Sequence, residues 1–220
     1  MVLSIGRHRF SGIQVLVHAA SWLPLVWIFL TYKFDPIKVN PIQTVTQQTG
    51  RIALIWFLLS LACTPAVTLL GFNPALKVRR ALGLYAFFYA VLHFLTFSVL
   101  DYRLDLPQIF DLLVSKRYLI AGTLAFLILI ALAITSTQQS MRLLGKIWQR
   151  LHQLAYPGAV LVILHYLWAA KAGTPGPYFY GAVLFGLLLL RVPLIKRWIT
   201  THKPPWLRQI SQRLARPASK

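Results

Sequence analysis

The chain reads as an all-α integral membrane bundle of six transmembrane helices with both termini cytoplasmic. Three observations carry that reading. Of its 220 residues 57% are hydrophobic and only 12% charged, the mean hydropathy is +0.63, and the basic residues fall mainly at alternate ends of six apolar stretches. A soluble domain is much more polar, and roughly 18 to 20 apolar residues suffice to span about 30 Å of hydrocarbon as a helix.

The first stretch, Gly12 to Tyr32, is long for a signal peptide, and no small-residue cleavage site follows it convincingly, so it reads as a mature helix. The second runs from Ile52 to Phe72, the third from Leu82 to Leu100 and the fourth from Tyr118 to Thr137. The fifth, Leu151 to Ala170, contains Tyr156, Pro157 and Gly158. A kink is expected there, because proline removes a backbone donor and glycine permits bending. The sixth runs from Tyr178 to Leu194. Polar or Pro/Gly-rich breaks separate the six, and no internal repeat or low-complexity linker stands out.

Basic residues are retained on the cytoplasmic side during insertion. With the N-terminus inside, the inner segments carry Arg7, Arg9, Lys77, Arg79, Arg80, Arg142, Lys146, Arg150 and the basic tail from Arg191 to Lys220, while all four carboxylates, Asp35, Asp101, Asp105 and Asp111, fall outside. The formal charge of +19 is thus a record of topology and of attraction to anionic membrane lipid, not of nucleic-acid binding.

The single cysteine, Cys63, excludes an intramolecular disulfide and covalent haem attachment through Cys-x-x-Cys-His. It reads as a small buried apolar residue. No glycine-rich phosphate loop occurs, and no extramembrane segment is long enough for a nucleotide domain, so the chain does not accept hydride alone. With no Ser, His and Asp set and no carboxylate at membrane depth, hydrolase and ion-coupled transport readings lose support.

Against this background His93, His152 and His165 stand out, since an imidazole at membrane depth is costly unless something binds it. Imidazole is the usual axial ligand of b-type haem. On the six-helix topology the third and fifth helices are parallel, and His93 and His165 each lie a few residues before the outer end, so they share a depth and can hold one haem between them. His152 lies about 20 Å nearer the cytoplasm on a regular helix, where it suits a second centre. A kink at Pro157 and Gly158 must rotate it into line, and the position facing it on the third helix is Arg79 rather than histidine. Arginine stays protonated, so Arg79 suits a haem propionate better than iron. The opposing ligand at that inner centre can be water or His18; alternatively His152 binds no iron and is an interfacial, quinone-contacting or flavin-contacting residue. His8 and His202 lie in basic tails and read as surface charge.

The segments RRALGLYAFFYAVLHFLTF (Arg79 to Phe97) and ITSTQQSMRLLGKIWQRLHQLAYPGAVLVILHYLW (Ile134 to Trp168), with shorter echoes at HAASWLPLVW, TGRIAL and TPAV, resemble the MsrQ (YedZ) family of the ferric-reductase-like transmembrane superfamily. The likeness extends over most of the chain. It implies one transmembrane domain over residues 1–220, with a cytoplasmic N-terminus (1–11), a helical bundle (12–194) and a basic cytoplasmic tail (195–220), in the bacterial inner membrane. It also implies one or two haems b held by His93, His165 and His152. The superfamily carries a histidine pair on each of the third and fifth helices, and this chain departs from that pattern at Arg79. The implied role is electron transfer from the quinone pool, or from a cytoplasmic flavin reductase, to MsrP, a periplasmic molybdenum-containing methionine sulfoxide reductase that repairs oxidised proteins. FMN is an associated cofactor, although no flavin motif is present. The reductase chemistry itself would reside on the partner. Asp101, Asp105 and Asp111 offer a surface for that acceptor or are ordinary solvated loop residues. A ferric reductase or b561-type cytochrome would share the haems and differ in acceptor; a non-redox anchor would share only the helices.

Overall fold

The computed structural model describes residues 2–5, 8–34 and 40–202. Residues 35–39, with Asp35 and Lys38, and the tail at 203–220 lie outside the described residues, as do the side chains of residues 1–10.

The described body is helical, preceded by a short antiparallel hairpin in which Val2–Ile5 (β1) pairs with His8–Ser11 (β2), Val2 opposite Ser11. Helix α1 spans Gly12–Phe34. Its exposed face carries Leu16, Trp22, Leu23, Trp27 and Phe29, as expected of a helix facing lipid rather than water. Helix α2 spans Pro41–Leu70, starts at the Asn40 cap whose side chain accepts from the Gln43 amide, and stops at Gly71 in the left-handed conformation (φ 66°). It therefore begins eleven residues before the apolar stretch that marks it in the sequence, because Gln43 to Gly50 are polar yet helical.

Helix α3 spans Pro74–Leu95 and continues as a π-helical stretch, Thr96–Asp101. Helix α4 (Leu106–Ser115) is a short amphipathic segment capped by Asp105, which accepts from the Gln108 amide at 3.1 Å. Helix α5 spans Arg117–Ile134 and α6 Gln138–Gln153, the latter kinked at Gly145 (φ 48°, ψ −117°). Helix α7 spans Ala155–Ala169, α8 Gly176–Leu189 and α9 Pro193–Thr201.

Among the described residues four helical spans are long and apolar enough to cross a membrane: α1, α2, Pro74–Asp101 and α5. The last expected segment, Tyr178 to Leu194, forms a fifth only when α8 is joined to Pro193–Ile199 across an 80° bend. Pro193 explains the bend: it forces Val192 into an extended conformation (ψ 126°) and cannot continue the hydrogen-bond ladder. The expected segment Leu151 to Ala170 is interrupted for one residue at Leu154, one turn before Pro157, whose missing amide hydrogen leaves the Gln153 carbonyl without its helical donor; Leu154 itself keeps right-handed dihedrals (φ −60°, ψ −14°). That leaves α7 with 15 residues, about 22 Å long at 1.5 Å per residue.

The two most extensive pairings are α2 with α3 and α5 with α7. Between them lies a core of Leu54, Phe57, Leu58, Leu61, Ala86, Leu129, Ala159 and Leu184. Alanines at the closest approaches let backbones pack tightly, which drives helix association where lipid offers no hydrophobic contrast. Tyr89 is fully buried and donates to the Ser21 carbonyl at 2.6 Å, tying α3 to α1.

Candidate functional site

His93, near the end of α3, and His165, near the end of α7, meet with ring centres 6.0 Å apart and planes at 81°. Two imidazoles sharing one metal through bonds of about 2.0 Å, each nitrogen about 1.1 Å from its ring centre, would stand roughly 6 Å apart. The spacing of the two rings fits a shared metal.

The supporting groups repeat from one half of the bundle to the other. His93 Nδ1 donates to the Thr46 carbonyl on α2 at 2.7 Å, and His165 Nδ1 donates to the Tyr118 carbonyl on α5 at 2.7 Å. Each histidine lies 47 residues after its acceptor. Because a backbone carbonyl only accepts, each bond places the ring proton on Nδ1 and leaves Nε2 as the lone-pair nitrogen that a metal requires. One helical turn beyond each acceptor stands a glycine. A Cβ at Gly50 would lie 2.9 Å from His93 Nδ1, and one at Gly122 would lie 2.6 Å from His165 Nδ1. Only a residue without a side chain lets either ring settle onto its neighbouring helix.

Thr46, Gly50 and His93 thus recur as Tyr118, Gly122 and His165 at a common offset of 72 residues. Reading the residues singly missed this repeat. Its sequence signal is a glycine 43 residues before each histidine, too sparse to detect without knowing that the rings rest on those glycines. Phe126 of α5 stacks on Phe94 and Phe87 of α3, at 5.2 and 6.2 Å between ring centres, and so fixes the two halves beside the pair. Tyr118 packs its ring 6.0 Å from that of His165.

His152 lies elsewhere. It lies in the last turn of α6, two residues before the one-residue interruption at Leu154 beyond which α7 carries His165. Its Nε2 is 3.2 Å from Thr135 Oγ1, which itself donates to the Ala131 carbonyl at 2.6 Å. The hydroxyl has one proton, so His152 Nε2–H is the donor. Its ring stacks on Trp148 at 4.1 Å, and Trp148 donates to the Thr135 carbonyl at 2.9 Å. Burial, and then the positive charge of Arg79, hold His152 below the usual imidazolium range. Arg79 is exposed, and its carbonyl accepts from Ser60 at 3.0 Å. The 72-residue step from His152 falls on Arg80, but the charge that reaches His152 is that of Arg79. His18 pairs with the Tyr85 hydroxyl at 2.8 Å. His202 stacks on Trp198, outside both groups.

Among the described residues no group of three or more His, Cys, Asp or Glu is placed to hold a metal ion. Two imidazoles alone leave a bare ion under-coordinated, whereas a porphyrin contributes four further nitrogens. The donor set at His93 and His165 therefore fits a haem. Asp101, Asp105 and Asp111 are exposed beside this end of the bundle, Asp105 in use as the α4 cap.

A helical bundle with spans apolar enough to cross a membrane and two facing histidines defines a class of transmembrane protein. The profile described as "Ferric reductase like transmembrane component" matches residues 49–163, taking in His93 and His152 and ending two residues before His165. The chain belongs to that family, and within it to the MsrQ family. It is 40% identical over 192 residues to the "Protein-methionine-sulfoxide reductase heme-binding subunit MsrQ" of Pectobacterium atrosepticum, covering 86% of this chain and 96% of the relative. The protein of the same name from Pectobacterium carotovorum is 39% identical with the same coverage. That from Salmonella paratyphi B is 35% identical over 191 residues, again with 86% and 96% covered.

Proposed function

We propose that the chain is a haem b electron-transfer subunit of the bacterial inner membrane that serves a periplasmic methionine sulfoxide reductase of the MsrP type. The observation that carries the reading is the 6.0 Å His93–His165 pair with both Nδ1 atoms bonded to carbonyls, together with the haem-binding subunits among its relatives. A bound haem supplies a one-electron relay whose potential is set by ligands, hydrogen bonds and burial. The residues of this chain supply the rest. Thr46 and Tyr118 carbonyls raise the basicity of the imidazoles and fix their planes, and the two glycines give the rings room. Phe94 and Phe126 keep the pair's surroundings apolar.

The topology proposed is six crossings, with α7 and α8 as the short fifth and sixth and with both termini cytoplasmic, as the basic residues require. The histidine pair then lies near the periplasmic face, beside α4 and its aspartates, where a soluble acceptor docks. His152 and Arg79 lie at the opposite end and mark the electron-input side: His152 as ligand of an inner haem, Arg79 as the partner of its propionate. That assignment requires His152 to exchange its Thr135 contact for iron. The electron source is the quinone pool, with a cytoplasmic flavin reductase and FMN as a second route. The balance is simple: a quinol releases two electrons and two protons, and a sulfoxide consumes two of each, giving the thioether and water.

Purified protein should show b-type absorbance on reduction with dithionite, and should pass electrons to an MsrP-type reductase and not to ferric chelates. Absence of the absorbance overturns the haem reading. Transfer to chelates alone favours a ferric reductase.

A further inference from the structure

Thr137 caps α6, its hydroxyl accepting from the Ser140 amide at 3.0 Å. From Arg142 onward the helix repeats one order of residues at a spacing of four: Arg142, Leu143, Leu144; then Lys146, Ile147, Trp148; then Arg150, Leu151, His152. Successive helical residues point about 100° apart, so each triplet addresses three directions. The third residues are half-buried, and two of them bond the end of α5: Trp148 Nε1 donates to the Thr135 carbonyl at 2.9 Å, and His152 Nε2 lies 3.2 Å from Thr135 Oγ1. The first residues are basic and exposed. The second are apolar; Leu151 is half-buried, but Leu143 is 77% exposed and Ile147 64%. The kink at Gly145 falls between the first two triplets, and the same order of exposure holds on both sides of it. No residue of α6 is fully buried and none is acidic.

Apolar side chains this open are costly in water, yet the helix is too short and too polar to cross a membrane. Its tethers decide what covers it. Only residues 135–137 join it to α5, and Leu154 alone joins it to α7. Held at both ends by apolar helices, α6 cannot leave the surface into which they insert.

We propose that α6 is an interfacial helix, with Leu143 and Ile147 inserted at the acyl boundary and Arg142, Lys146 and Arg150 among the headgroups of anionic phospholipid. Such helices combine buried apolar area with attraction of basic side chains to anionic lipid. The aliphatic stems of arginine and lysine lie along the apolar layer while their charges reach the phosphates. This placement rests on α5 and α7 crossing the membrane, as proposed above, and is independent of haem.

The test puts a nitrobenzoxadiazole label on single cysteines of the full chain carrying Cys63→Ala, in nanodiscs of phosphatidylcholine with phosphatidylglycerol, and measures quenching by spin-labelled phospholipid. Labels at Leu143→Cys and Ile147→Cys should be quenched at least twofold more than one at Gln149→Cys, an exposed position about 200° around the helix from Ile147. Arg142→Glu combined with Lys146→Glu should lower the quenching at Ile147→Cys at least twofold, and so should discs of phosphatidylcholine alone. Leu127→Cys, on the exposed face of α5, reports the crossing itself. Quenching at Leu127→Cys without quenching at Leu143→Cys and Ile147→Cys overturns the interfacial helix; access of aqueous iodide to those two labels would then give the face to a soluble partner. Absence of quenching at Leu127→Cys overturns the topology on which the proposal rests. Quenching at Ile147→Cys that survives either the charge reversal or the neutral lipid overturns the anionic-lipid assignment. Near-ultraviolet circular dichroism confirms that each variant is folded.

Discussion

His93 and His165 face one another at 6.0 Å although they belong to helices separated by 72 residues of chain, and each rests its Nδ1 on a carbonyl one turn before a glycine. Their equivalence is built from the backbones of α2 and α5, so the properties of the pair depend on residues of the neighbouring helices.

The glycines should matter almost as much as the histidines. Gly122→Ala places a methyl group 2.6 Å from His165 Nδ1, and Gly50→Ala one 2.9 Å from His93 Nδ1. Disturbing such supporting groups typically costs 10- to 100-fold in metal affinity. Haem retention on gel filtration should fall in that range for Gly122→Ala and less for Gly50→Ala; equal retention in both variants and the parent would refute the cradle.

His93→Ala and His165→Ala should each abolish the same spectral component, since one centre needs both rings. Two variants that each remove a different component would assign the histidines to separate haems.

Replacing His152 with alanine should remove one of two reductive steps in a potentiometric titration while the component due to His93 and His165 persists. If haem content is unchanged, His152 serves the Thr135 and Trp148 contacts alone.

Arg191→Leu should destabilise the fold by leaving unpaired the Leu61 carbonyl, which accepts from Arg191 Nη2 in place of the amide hydrogen that Pro65 lacks, about 1–3 kcal/mol for a buried acceptor. Combining it with Pro65→Ala restores a helical donor to that carbonyl, so the double variant should recover part of the loss in thermal unfolding. Strict additivity would show that the two residues do not share the carbonyl.

Tyr89→Phe should cost stability by a similar mechanism, about 1–3 kcal/mol, since the Ser21 carbonyl would lose its bond from a fully buried hydroxyl. The haem spectrum should be unaffected, because the Tyr89 hydroxyl bonds α1, which supplies no hydrogen bond to His93 Nδ1 or His165 Nδ1.

The apolar stretches and the periodic placement of Lys and Arg announced a helical membrane protein, because the need to satisfy every backbone polar group in lipid leaves a long apolar run little else to be. The histidines were equally legible: a costly side chain in such a run points to a ligand. Where helices begin was not. Polar Gln43 to Gly50 belong to α2, which places Thr46 and Gly50 beside His93, whereas the interruption at Leu154 falls where the missing amide hydrogen of Pro157 leaves the Gln153 carbonyl unserved. Amino-acid chemistry by itself singled out imidazoles in apolar segments as the residues that need a partner. Tertiary packing alone decided which two face one another, because ring spacing, the carbonyl bound at each Nδ1 and the clearance over each glycine arise only when α2 meets α3 and α5 meets α7.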